Sequence, residues 1–265
     1  MPELGEFLGE GSFGKVYQLK DTEKVVKFVH LPCDGFQNYI EPYILLQIKS
    51  IGIMNAVEVF INQKGLLKIV QEKGIPLDKL DIKIIRKEKK KIKFEIREGL
   101  KFLHFKTILH GDIKPNNILV VTSISGERSY KINDFSFSML MSSDPQKIEH
   151  LIYSPGWRPS EVNGGLVSLR SDIWCYGKLI YHYFGERGDE LKYNFKERPT
   201  FVENINFKGN RNLIVKNSHL TFKNNRHRKI FCDKLRNKGN HISCSKEYLQ
   251  FERELCNEMK MKIEI

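Results

Sequence analysis

One stretch constrains the chain more than any other: Ile108-Leu109-His110-Gly111-Asp112-Ile113-Lys114-Pro115-Asn116-Asn117-Ile118-Leu119. An acid, a cation and an amide (Asp112, Lys114 and Asn117) stand close together between apolar runs. A structural turn rarely needs three polar groups of different chemistry in such flanks, because each must find a partner or stay wet. The segment reads as a loop between a helix over 92–105 and a β-hairpin. The hairpin pairs 118–121 with 130–132 and turns at Ser125-Gly126-Glu127.

The 265 residues suffice for one large domain or for two lobes sharing a cleft. Upstream of the loop the chain is β-rich. Residues 7–8 and 15–19 flank the cluster Gly9-Glu10-Gly11-Ser12-Phe13-Gly14, Asp21-Thr22-Glu23 reads as a hairpin turn, and 24–30 continue as a strand. A helical stretch follows over 36–49, which Pro42 must start or kink. Strands over 56–61 and 66–71 then pair around Asn62-Gln63-Lys64-Gly65. Further on the period lengthens, and 173–184 and 246–261 read as helices. The expected fold class is α+β. Residues 1–74 make a small β-rich lobe with one helix and 75–265 a larger, mainly α-helical lobe, with the boundary near 72–75.

A G-x-G-x-x-G cluster alone also suits a dinucleotide fold, where the glycines open a helix. Here β-forming Val16-Tyr17 follow, then a turn and a second strand, so the glycines cap a hairpin. Such a hairpin suits a flap whose backbone amides lie over a triphosphate. Lys27 has apolar neighbours Val25, Val26 and Phe28 on a strand, so it must snorkel or meet an anion. In the functional reading it grips the α- and β-phosphates and is held by Glu41, fourteen residues on. Phosphoryl transfer also accounts for the central loop. It needs a carboxylate to orient a hydroxyl (Asp112), a cation for the γ-phosphate (Lys114) and an amide oxygen for Mg²⁺ (Asn117). Asp134, after the hairpin, places a second carboxylate for the metal.

With these motifs in this order the chain resembles a eukaryotic-type protein kinase over roughly residues 5–185. Gly9, Gly11, Gly14 and Val16 match the family's glycine loop, and Lys27 its strand lysine. Asp112, Lys114 and Asn117 match the catalytic loop, and Asp134 the metal-binding aspartate. Ser154-Pro155-Gly156-Trp157-Arg158-Pro159-Ser160-Glu161 resembles the end of the activation segment, and Asp172-Ile173-Trp174-Cys175-Tyr176-Gly177 the helix beneath the loop. The resemblance implies a bilobal protein-kinase fold, ATP and Mg²⁺ as cofactors, and protein hydroxyls as acceptors. It places Asp112 and Lys114 at the chemistry and Asn117 and Asp134 on the metal. Gly9, Glu10, Gly11, Ser12, Phe13, Gly14, Lys27 and Glu41 fall on the nucleotide, with Val16, Val25 and Leu119 around the adenine. His110, Phe135 and Leu45 are expected to stack into a column. Lys114 before Pro115, and Ser154 seven residues before Glu161 with a hydroxyl for both Lys114 and Asp112, imply serine/threonine specificity. In its His-Gly-Asp-Ile-Lys loop and compact layout the chain is similar to kinases of large DNA viruses, with vaccinia-related and casein-type kinases close in that loop.

The departures carry expectations too. Gly111 stands where many family members have an arginine that reads an activation-loop phosphate, so activity is expected without loop phosphorylation. On that basis Ser142, Ser143 and Tyr153 are expected to be replaceable at little cost. Ser136 follows Asp134-Phe135 where a glycine is usual, and Val25 replaces an alanine. Beyond Glu186 no family motif is recognisable, and the usual arginine partner of the Glu161 position is not identifiable.

The net charge of +12 is concentrated: residues 83–93 carry +6 and 208–241 carry +9, leaving the remainder near −3. These segments favour acidic protein substrates through long-range attraction, or a nucleic acid through counterion release. Two rival functions remain in view: an inert kinase-like scaffold that binds nucleotide or partner proteins, and a nucleic-acid-binding protein using the basic C-terminal segment. Five scattered cysteines without a C-x-x-C pair point to a reducing compartment. The acidic start lacks the order of a signal peptide, and no run approaches the ~20 apolar residues of a spanning helix. A monomer in the cytoplasm or nucleus, or in a virion if viral, without membrane contact, is expected. His227, Cys232, His241 and Cys244 form a weak zinc pattern that matches no trusted signature.

Overall fold

The computed structural model describes residues 3–11, 14–30, 41, 44–46, 48–62, 66–148, 153–203, 205 and 262–264. They divide into two compact units, and the chain passes from one to the other more than once, among other places between Lys73 and Gly74.

The first unit is built on one sheet. Strands β1 (Leu4–Gly11), β2 (Gly14–Leu19), β3 (Lys24–His30), β4 (Ala56–Asn62) and β5 (Leu66–Glu72) pair antiparallel with one another in the order β1-β2-β3-β5-β4. Alternation explains the core: Leu19, Val26 and Val70 are buried, with Tyr17, Phe28 and Phe60 packed against them. Asp21 takes a left-handed φ of 57° in the β2–β3 turn, where the Thr22 hydroxyl donates to the Leu19 carbonyl at 2.9 Å. Glu41 and 44–46 are helical, and Ile44 and Leu45 are fully buried. Pro42 and the helix read over 246–261 lie outside the described residues.

Two boundaries differ from the sequence reading. A terminal strand, Lys262–Glu264, belongs to the first unit rather than to a lobe spanning 75–265, because it pairs in parallel with β4 (Lys262 opposite Phe60) and satisfies its open edge. Conversely, 49–54 belongs to the second unit.

In the second unit the chain forms β6 (Ile75–Pro76), α1 (Ile82–Lys87), α2 (Lys89–Phe105), β7 (Ile108–Leu109), β8 (Ile118–Thr122) and β9 (Arg128–Ile132). There follow β10 (Met139–Leu140), β11 (Gln146–Lys147), α3 (Ser160–Asn163), β12 (Leu166–Val167) and α4 (Leu169–Phe184). Ile92, Ile96, Leu100 and Leu103 recur at helical spacing and form the buried stripe of α2. That helix meets the 49–54 segment closely: a Cβ on Gly99 would come within 2.6 Å of the Gly52 carbonyl oxygen, so only glycine fits. Glu95 accepts the Tyr130 amide at 2.7 Å, and Glu88 accepts Arg128 at 2.7 Å and the Tyr130 hydroxyl at 2.8 Å. Helix α4 opens on a capping box of Ser168 and Ser171 and stops at Gly185, whose φ is 68°. These anchors present the connection between β7 and β8 from a rigid base.

Candidate active site

The connection from β7 to β8 starts from β7, which pairs with β10 (Leu109 opposite Met139). Its first two amides are then captured by one carboxylate from α4. His110 N–H donates to Asp172 Oδ2 at 2.7 Å and Gly111 N–H to Asp172 Oδ1 at 3.0 Å. Asp172 is fully buried, with His104 Nε2 3.2 Å from Oδ2. Burial by itself would raise this carboxyl. The His104 hydrogen bond and the His110 amide, with the nearby His104 and His110 imidazoles, together outweigh burial and hold it below its ordinary value. Asp112 N–H donates to His110 Nδ1 at 3.1 Å, so the proton of the neutral ring belongs on Nε2, which faces the Asn133 carbonyl at 3.1 Å.

Asp112, 2% exposed, is the centre of the next layer. Asn117 Nδ2 donates to its Oδ2 at 3.0 Å and to its carbonyl at 2.8 Å. Lys114 Nζ stands 2.8 Å from the same Oδ2, and Ser154 N–H donates to Oδ1 at 2.8 Å. The Ser154 hydroxyl accepts from Lys114 at 2.6 Å and donates to Asp112 Oδ2 at 3.2 Å. Asp112, Lys114, Asn117 and Ser154 therefore form one bonded cluster. Asn133 N–H donates to the Asn117 carbonyl at 2.8 Å, which ties the approach to Asp134 to the same loop. Asp134 has a left-handed φ of 60°, and the Ser136 hydroxyl donates to its Oδ1 at 2.6 Å. Phe135 is buried with its ring centroid 5.2 Å from that of His110. Leu119 lies on β8, opposite Lys131.

The remaining candidates lie in the first unit. Lys27 Nζ donates to Glu41 Oε1 at 2.8 Å, and both side chains are largely buried. Val16 is opposite Lys27 in the β2–β3 ladder, and Val25 is buried. Gly9, Glu10 and Gly11 pair with Val16, Lys15 and Gly14, so the glycines do cap a hairpin; Ser12 and Phe13 lie outside the described residues. A Cβ on Gly9 would meet nothing within 4 Å, whereas one on Gly14 would come within 2.0 Å of the Phe28 carbonyl oxygen. Gly14 is required by the sheet; the space at Gly9 is open.

Three partners escaped the sequence. Arg198 forks onto Glu161 with Nη1 at 2.6 Å from Oε1 and Nη2 at 3.0 Å from Oε2, and is 2% exposed. It is the arginine that motif reading left unidentified beyond Glu186; Pro199 after it is its only local mark. The other two are the Ser136 hydroxyl on Asp134 and Tyr153. Tyr153 is 2% exposed and donates its hydroxyl to Asp172 Oδ1 at 3.0 Å. Its expected cheap replacement fails on physical grounds, since a buried bonded hydroxyl is costly to lose.

The possible zinc residues 227, 232, 241 and 244 and the basic segment 208–241 lie outside the described residues. Among the described residues no three His, Cys, Asp or Glu side chains converge on a metal site, and no helix is long and apolar enough to cross a membrane.

A β-sheet unit and a mainly helical unit that clusters acid, cation and amide in one loop define a kinase-type domain. Residues 3–262 match the family described as Protein kinase domain, and the chain belongs to that family. It is 28% identical over 196 residues to Cyclin-dependent kinase D-1 of Oryza sativa subsp. indica, covering 66% of this chain and 44% of that protein. It is 27% identical over 194 residues to Aurora kinase B of Mus musculus, covering 68% and 54%. Over 210 residues it is 26% identical to Serine/threonine-protein kinase stk11 of Xenopus laevis, covering 68% and 46%. The chain spans about half the length of these relatives.

Proposed function

We propose that the protein transfers the γ-phosphate of ATP to serine and threonine hydroxyls of proteins. The observation that carries this is the Asp112 carboxylate, bonded at once by Asn117, Lys114 and Ser154. The acceptor oxygen attacks the γ-phosphorus, the bond from that phosphorus to the bridging oxygen of the β-phosphate breaks, and ADP departs. The hydroxyl proton passes to Asp112, while Lys114 offsets charge on the moving phosphoryl group. Lys27, held by Glu41, suits the α- and β-phosphates, and the open space at Gly9 lets backbone approach them closely.

Asn117 and Asp134 fit Mg²⁺. Asn117 spends its NH₂ on Asp112, and its amide oxygen makes no hydrogen bond among the described residues. One carboxylate and one amide oxygen, completed by phosphates and water, suit a hard cation that seldom uses an all-protein cage. When bound, Mg²⁺ neutralises phosphate charge. Serine/threonine specificity rests on the Ser154 bridge, the likeness to viral kinases on the His-Gly-Asp-Ile-Lys loop, and a reducing cytoplasmic or nuclear setting on the cysteine pattern. Acidic substrates are favoured by a surface hollow of about 910 Å³ whose lining includes Arg86, Lys89 and Lys178 and shares no residue with the Asp112 cluster.

The test is transfer of labelled phosphate from ATP, with Mg²⁺, to a panel of acidic and basic proteins. Asp112→Asn should lower turnover at least ~10³-fold while ATP binding persists, as expected of a lost proton acceptor. Undiminished transfer by that variant, or none by the wild type, would overturn the reading.

A further inference from the structure

Tyr153 is a large residue in a conformation that suits glycine, with a φ of 70°. Such strain persists only where the surroundings over-determine it. Here they do. The ring is buried, and the hydroxyl bonds the same Asp172 Oδ1 that accepts the Gly111 amide, each at 3.0 Å. Arg158 Nη2 donates to the Tyr153 carbonyl at 3.0 Å, fixing the peptide that leads into Ser154. Ser154 in turn places its amide 2.8 Å from Asp112 Oδ1 and its hydroxyl between Lys114 and Asp112. Two adjacent residues thus reach two different carboxylates: Asp172, which holds the backbone of 110–111, and Asp112, at the centre of the site.

Gly111 contributes only its amide here, so no side chain at that position can read a charge on the segment before Ser154. Burial, and then the charge of Asp172, push the Tyr153 phenol well above its ordinary value, so it remains a hydrogen-bond donor at working pH. Buried and engaged, it is also closed to modification in this arrangement.

We propose that Tyr153 is a positioning residue: its hydroxyl bond to Asp172 keeps Ser154 seated on Asp112 and Lys114, and so holds the site ready without a phosphate on the preceding segment. The proposal rests on the kinase reading above. It assigns Tyr153 a role through Asp172 and Ser154, with no contact to ATP, so its signature is a change in turnover alone.

Tyr153→Phe keeps the ring and removes only the hydroxyl. It should lower kcat roughly tenfold, the size of one hydrogen bond to a charged group, with KM for ATP and the circular dichroism spectrum unchanged. The Ser142→Ala, Ser143→Ala double variant, treated with phosphatase, should keep wild-type kcat. Wild-type kcat in Tyr153→Phe, or a loss of kcat matched by an equal loss of ATP affinity, overturns the positioning role. So does a large loss in the double variant that acidic residues at 142 and 143 restore. Asp112→Asn assayed beside them separates the two ideas: full transfer by that variant sinks the kinase reading, and the positioning role with it. A dead Asp112→Asn beside an unaltered Tyr153→Phe sinks the positioning role alone.

Discussion

The glycine hairpin of the first unit and the β7–β8 connection of the second both carry candidate phosphate-handling groups, and they are held by opposite means. Gly9–Gly11 and Gly14–Val16 rely on backbone pairing, and the Glu10–Lys15 ion pair there is exposed at 3.7 Å. From His110 to Asn117 the backbone is caught by Asp172, and Asp112 is bonded on both oxygens while almost fully buried. Polar groups locked in place before reaction need little reorganisation during it, which suits the proposed role of this region in handling the moving proton and phosphoryl group. Exposed backbone suits a surface that closes on a ligand. The difference predicts that substitutions in the second region damage turnover and folding together, and that those in the first chiefly alter nucleotide affinity.

The largest effect expected on this contrast comes from Asp172→Asn. It leaves a poorer acceptor for two buried amides, a ring nitrogen and a phenol, and should cost about 3 kcal/mol of stability at neutral pH. Folding holds the Asp172 carboxyl below its ordinary value of 3.8, so its contribution is full above that value and fades as the pH falls through the folded one. Denaturation midpoints should therefore differ widely at pH 7 and converge below 3.8; a gap that persists unchanged in acid would break the assignment to this carboxylate.

Gly14→Ala should be next. Its Cβ would lie 2.0 Å from the Phe28 carbonyl oxygen and must push β2 from β3, next to the ladder that holds Lys27. KM for ATP should rise roughly tenfold, about 1.4 kcal/mol, with kcat less affected. Gly9→Ala, which meets no atom within 4 Å, should leave the denaturation midpoint in place. Equal stability losses at both glycines would erase the distinction between a sheet contact and an open surface.

The smallest effect belongs to Glu10→Ala. Its pair with Lys15 is more than half exposed at both side chains, so stability should move by less than ~0.5 kcal/mol in urea titration. A larger loss would show that the hairpin is not held by backbone pairing as described.

Much of this was legible in the chain. Alternation marked β4 and β5 around 62–65, helical spacing marked α2, and three unlike polar residues within six positions marked the site around Asp112. Lys27 and Glu41 are also within one short stretch, and the structure joins them at 2.8 Å. Each of these signals is local, because periodicity and turn chemistry act over a few residues.

What tertiary structure decided is partnership over distance. Glu161 finds Arg198 across 37 residues, and Asp172 finds the amides of His110 and Gly111 across 62 and 61. The same holds for Tyr153, whose sequence neighbours mark it as an ordinary loop hydroxyl, and for the strand Lys262–Glu264 beside β4. The physical reason is common to them. A carboxylate taken out of water, or a sheet edge left open, must be satisfied by whatever donors the fold delivers, and no short-range pattern records which residues those are.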